Sequence, residues 1–128
     1  MSGKTNYLEN LNLNALKAMT TFVGLFSGDP TDTGAGGSEV TTTLRAAGRV
    51  AVTFGSITSG TGANSIANSG ELDFGDADAG ATITHFGVFD AASSGNLLYA
   101  GALGGGSKSI DAGEVVKFPA GSLVISED

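Results

Sequence analysis

THFGVFDAASSGNLLYAG, residues 84–101, carries the only histidine of the chain, with an aspartate, two serines and a tyrosine close by. Two readings compete for it. His85, Asp90, Ser93 and Ser94 are raw material for an acyl-transfer site. The same letters also read as two alternating strands joined by a turn. On a strand rising ~3.3 Å per residue, His85 and Asp90 stand some ~16 Å apart, beyond any hydrogen bond. Ser93 and Ser94 fall inside AASSG, a connector of hairpin length that contains glycine. A triad needs hydrogen-bonded neighbours, and this spacing separates them. The stretch is therefore read as a hairpin, with no catalytic residue.

Working outward, the same two-residue alternation recurs on both sides. TTFVGLF (20–26) and RVAVTFG (49–55) precede it, with Val50, Val52 and Phe54 on one face and Arg49, Ala51 and Thr53 on the other. EVTTTL (39–44), GELDFG (70–75), KSID, EVVKF and SLVIS are shorter runs of the same kind. GDPTDTGAGG (28–37), SITSGTGANS (56–65) and GGGSK (104–108) read as loops or bends, DAG (111–113) and PAG (119–121) as turns. No helical period follows Met19, which excludes a βαβ architecture. The expectation is an all-β, antiparallel sandwich of eight to ten short strands, with Phe54, Phe86, Val88 and Leu97 facing inward.

One helix is expected before the strands. Asn6 followed by Glu9 resembles an N-cap with its capping-box partner, and Leu8, Leu11, Ala15 and Met19 recur at steps of three and four. A helix over 7–18 with Asn10, Asn12 and Asn14 in it has weak intrinsic propensity and needs a packing partner. The sandwich pairs its own inner faces, so the helix is expected to pack across an open sheet end or onto an adjacent subunit. Residues 1–19 then form an arm with Leu8, Leu11, Ala15 and Met19 as oligomerisation or docking residues, and 20–128 form the β-sandwich domain.

Composition narrows the function. Thirteen acidic against six basic residues give a net charge of −7, which argues against nucleic acid as a partner. Forty-one per cent hydrophobic residues argue for a folded core despite 21 glycines. There is no cysteine to ligate a metal or form a disulfide. The first residues lack the apolar core of a secretory signal, and no run approaches the ~20 apolar residues of a membrane span, so neither export nor membrane insertion is expected. Synthesis in a cytoplasm, with a product that stays soluble, is expected.

The remaining motifs read weakly. GALGGGSKS (101–109) nearly spells a phosphate loop, but Ser107 separates the glycines from Lys108 and strand sequence follows. GTGANS (60–65) lacks the third glycine of a dinucleotide fingerprint. Asp73, Asp76 and Asp78 in DFGDADAG are a weak calcium candidate, with no distal glutamate to complete an EF-hand loop. No cofactor is expected.

The segments FVGLFSGDPTDTG (22–34), RVAVTFG (49–55), THFGVFDAASSGNLLYAGAL (84–103) and DAGEVVKFPAGSLVIS (111–126) together resemble a family of small tailed-bacteriophage structural proteins, the tail fibre proteins. The leading LNALKAM is also similar, and THFGVFDAASSGNLLY is the most specific piece. TTTLRAAGRVAV departs from relatives, which often carry an aromatic residue before the arginine. The resemblance implies a non-enzymatic virion component, tail-fibre or appendage associated, that contacts other virion proteins, a homo-oligomer and the host surface. Capsid decoration, cementing the shell from outside, is the alternative. A host-glycan-binding module is a third reading, set back by the absence of tryptophan and by only Tyr7 and Tyr99 as tyrosines.

Overall fold

A computed structural model describes residues 5–31, 36–40, 48–59, 64–103 and 106–127. Within them lie one helix, α1 (Asn6–Ala18), and eleven strands. These are β1 (Thr21–Phe26), β2 (Val50–Val52), β3 (Thr58–Ser59), β4 (Asn64–Ala67), β5 (Leu72–Asp76) and β6 (Ala81–Ile83). They continue as β7 (His85–Phe89), β8 (Leu97–Ala102), β9 (Lys108–Ile110), β10 (Val115–Phe118) and β11 (Val124–Glu127). Every strand pair is antiparallel, as expected of an all-β chain with short connections.

The largest sheet runs β2-β1-β7-β8, and smaller ones run β11-β4-β3, β10-β5 and β6-β9. The long run 81–90 is two strands, because it changes partner at Thr84. Ile83 and Phe86 are both buried, three residues apart, so the inward face is reset across that break. The Thr84 amide bonds the Phe26 carbonyl at 2.9 Å, and its carbonyl takes the Leu103 amide at 3.0 Å, which keeps the backbone satisfied through the switch.

One core gathers Val23 and Leu25 from β1, Phe86 and Val88 from β7, Phe74 from β5, Phe118 from β10, and Leu13 and Leu16 from α1. Phe74 meets Phe118 edge-on, with centroids 5.8 Å apart. The register Leu25↔Phe86 and Val23↔Val88 sets leucine against an aromatic ring and valine against valine on the inner face. Gly101 sits beneath the Phe86 ring, where an added Cβ would come within 3.1 Å of Cε1.

Several expectations need correction. Phe86 and Val88 are buried, but Phe54 is only half-buried, packed at the core's margin beside its bridge to Asn68. Leu97 is not inward. A register shift between Val88 and Phe89 reverses the parity of β8, so Leu97 pairs with Phe89 and lies over Gly87 on the opposite face. Residues 56–65 are not one loop, for β3 and the start of β4 lie there. Their polar letters hid a strand whose Asn64 and Ile66 are both buried. Of the strand read over 39–44, Glu39 bridges Phe26 and residues 41–44 lie outside the described residues. In the bend read over 104–108, residues 104–105 likewise lie outside them, and Lys108 opens β9.

Candidate functional site

The opening constellation disperses as the hairpin reading requires. His85 begins β7, and its Nδ1 lies 2.8 Å from the neighbouring Thr84 Oγ1. Asp90 ends the strand and closes the loop: the Asn96 amide donates to its Oδ1 at 2.7 Å and the Asn96 side chain to its Oδ2 at 2.9 Å. Those bonds from the Asn96 backbone and then its side chain, helped by the charge of Arg49, hold the Asp90 carboxyl below the usual aspartate range. Ser94 and Gly95 adopt left-handed backbone, φ 57° and 75°, so the serines shape a turn. Among the described residues, the hydroxyl beside the His85 ring is that of Thr84 and not of a serine.

Sequence reading missed the residue that fastens this loop. The Arg49 guanidinium lies 3.4 Å over the Phe89 ring and forks onto Glu39, Nε to Oε2 at 2.9 Å and Nη2 to Oε1 at 3.0 Å. Its Nη1 donates to the carbonyls of Ala91 at 2.9 Å and Ser94 at 2.6 Å. The side chain is only 8% exposed, so this pair is largely desolvated. It fits because Gly24 beneath it has no Cβ: one would stand 3.3 Å from Arg49 Cγ and closer still to Glu39. Phe26 and Phe89 stack beside it at 6.0 Å, a small second cluster on the outer face of the main sheet. The only local signal was an arginine on the polar side of RVAVTFG.

The other sequence candidates scatter. Asp73 Oδ1 accepts from the Gly75 amide at 2.8 Å, an Asx turn at a β-bulge opposite β10. Asp76 ends β5, Asp78 follows buried Ala77, and no three acidic or histidine side chains among the described residues group to hold a metal ion. Lys108 is followed by strand, so no helix N-terminus faces it.

The N-terminal helix gives the most distinctive surface. Its N-cap is Thr5, not Asn6: Thr5 Oγ1 accepts from the Leu8 amide at 3.4 Å. Glu9 is thus the fourth helical residue, one too far for a capping box, and it turns inward. Glu9, Leu13 and Leu16 form the face packed on the sheet beside β4. Of the two expected positions for the stripe, it does not pack across the chain's own sheet: Leu8 is 41%, Leu11 48% and Met19 42% exposed, Ala15 is exposed beside them and Tyr7 is at 74%. Two apolar clefts flank Met19. One of about 270 Å³ is lined by Thr21, Ala51 and Val52, the other of about 190 Å³ by Ala15, Leu16, Leu98 and Tyr99.

Polar groups are buried under the helix. Asn64, fully buried in β4, donates through Nδ2 to Asn10 Oδ1 at 3.0 Å and to the Asn6 carbonyl at 3.4 Å. Asn64 Oδ1 and Glu9 Oε1 are buried acceptors with no hydrogen-bond donor among the described residues. No helix among the described residues is long and apolar enough to cross a membrane.

The model of one family, described as podophage GP4 fiber I protein gp80, matches residues 3–126, from the helix through the last strand. No curated protein sequence matches the chain. With nearly its whole length matched, the chain belongs to that family of phage structural fibre proteins.

Proposed function

We propose that this member of the fiber I family is a non-enzymatic component of the virion exterior in a tailed bacteriophage, associated with the tail fibre or an appendage. It works by attachment in many copies, each contact weak and the sum durable by avidity. The observation that carries this reading is the exposed apolar stripe of α1, Leu8, Leu11, Ala15 and Met19, on a helix whose other face is already buried. A helix apolar on two sides wants two partners, and the sheet supplies only one. The stripe is the docking surface by which each copy attaches in the particle.

Copy number in purified particles tests the location. A number matching the symmetry of the tail supports the fibre or appendage role, and one matching the capsomers of the shell moves the protein to head decoration. Leu11→Glu tests the docking surface: the folded variant is expected to be lost from particles. Incorporation at the wild-type level would overturn the stripe as the point of attachment.

A further inference from the structure

The docking reading names a surface and leaves its occupant to be found. At ~100° per helical residue, Tyr7, Leu8, Leu11, Ala15, Ala18 and Met19 form a face centred about 150° from that of Glu9, Leu13 and Leu16. Leu8, Leu11, Ala15 and Ala18 step by three, four and three, the spacing of a seam between paired helices. We propose that the occupant is α1 of a second copy of this chain, laid antiparallel about a two-fold axis at the level of Leu13. This rests on the docking reading and adds the partner and the register.

The register follows from size. With Leu11 opposite Ala15 of the second copy, Leu8 falls opposite Ala18 and Tyr7 opposite Met19. Each leucine meets an alanine, and the exposed ring meets a flexible thioether, a favourable contact for sulfur. Parallel pairing sets Leu8 on Leu8 and Leu11 on Leu11, with alanine facing alanine, which leaves a crowded end and a gap. The same patch serves both copies, as a two-fold interface demands. The clefts on either side of Met19 give the incoming tyrosine room.

Charge points the same way. In a chain of net charge −7, two copies repel wherever carboxylates face each other. Along α1 the sole acidic residue, Glu9, is buried on the far side, and Lys17 is the one charged residue exposed. The stripe is thus a surface on which a second copy approaches without like-charge opposition, screened further by salt.

Sedimentation velocity on the full chain across a concentration series tests this. The wild type is expected to form a dimer, and Leu11→Glu to weaken it by roughly tenfold or more with an unchanged circular dichroism spectrum, since a carboxylate enters an apolar seam. Adding Ala15→Lys to Leu11→Glu in the same chain is expected to restore the dimer, because the register sets the two substituted side chains opposite each other twice. A monomeric wild type, a dimer indifferent to Leu11→Glu, or a double variant no better than the single one would overturn the proposal. Should the wild type be monomeric while Leu11→Glu still blocks incorporation into particles, the second copy is wrong and the docking surface stands. If incorporation is also unaffected, both fall.

Discussion

Arg49 shows what one side chain does where the hydrophobic core does not reach. It joins Glu39, the Phe89 ring and two carbonyls of the 90–96 loop, groups from two other parts of the chain. Arg49→Ala leaves Glu39 half-desolvated and two carbonyls unmet, an expected loss of about 2–4 kcal/mol in urea unfolding. Arg49→Lys keeps the charge but not the fork, and is expected to recover less than half of that loss. Asp90 adds a pH dependence. Its carboxyl is held below the usual aspartate value, so its contribution is whole at neutral pH. That contribution is lost only as pH falls past the usual aspartate value of about 4 and on through the lowered one. Asp90→Asn is therefore expected to unfold earlier than wild type at pH 7, with the gap closing in acid. A gap independent of pH would show that the ionised carboxylate is not what holds the loop. None of this was legible beforehand, because the partners of Arg49 lie up to 45 residues away and no local pattern marks them.

At the scale of elements, alternation was a good guide where strands are apolar and a poor one elsewhere. The hairpin of β7 and β8, the reading that set aside His85 as a nucleophile's base, stands because Phe86 and Val88 are inward and the connector is closed by Asp90 and Asn96. The bulge beside Leu98 defeated the prediction for Leu97, since one extra residue turns every later side chain over. β4 was missed because its inward Asn64 looks like a loop residue. In α1 the period was right, and the stripe read from it faces away from the sheet, while Leu13 and Leu16, with Glu9, take the inner side. Glu9 and Asn64 each hold a buried acceptor with no donor among the described residues. Glu9→Gln puts an N–H₂ beneath the helix in place of a carboxyl oxygen, so it is expected to raise stability by roughly 0.5–1.5 kcal/mol in thermal or urea unfolding. A clear loss would mean that the carboxylate meets a donor or cation in solution.

For the whole molecule, the division into an arm and a sandwich is a proposal about roles, and the core spans both. Leu13 and Leu16 join the same cluster as Phe86 and Phe74. The helical signal in far-ultraviolet circular dichroism and the tyrosine fluorescence are therefore expected to change in one coincident transition. An earlier loss of helix would mark residues 1–19 as a unit that docks and undocks by itself. Phe86→Ala, which empties the centre of that cluster, is expected to cost roughly 3–5 kcal/mol and to lower both signals together. The fold class and the family were legible because they are spread over the whole chain. The surface proposed for assembly was legible only as a stripe of residues, with Glu9, Leu13 and Leu16 on the side turned to the sheet.

The Arg49 fork has one more consequence. Small β-rich proteins commonly fasten distant loops with disulfides, and such a bond lasts only while its surroundings stay oxidising. This chain has no cysteine, and its cross-tie is made of a guanidinium, a carboxylate and two peptide carbonyls. No thiol can cut it and no oxidant is needed to make it. A molecule fastened in this way keeps the same shape in a reducing medium and in air, and needs no maturation step between them.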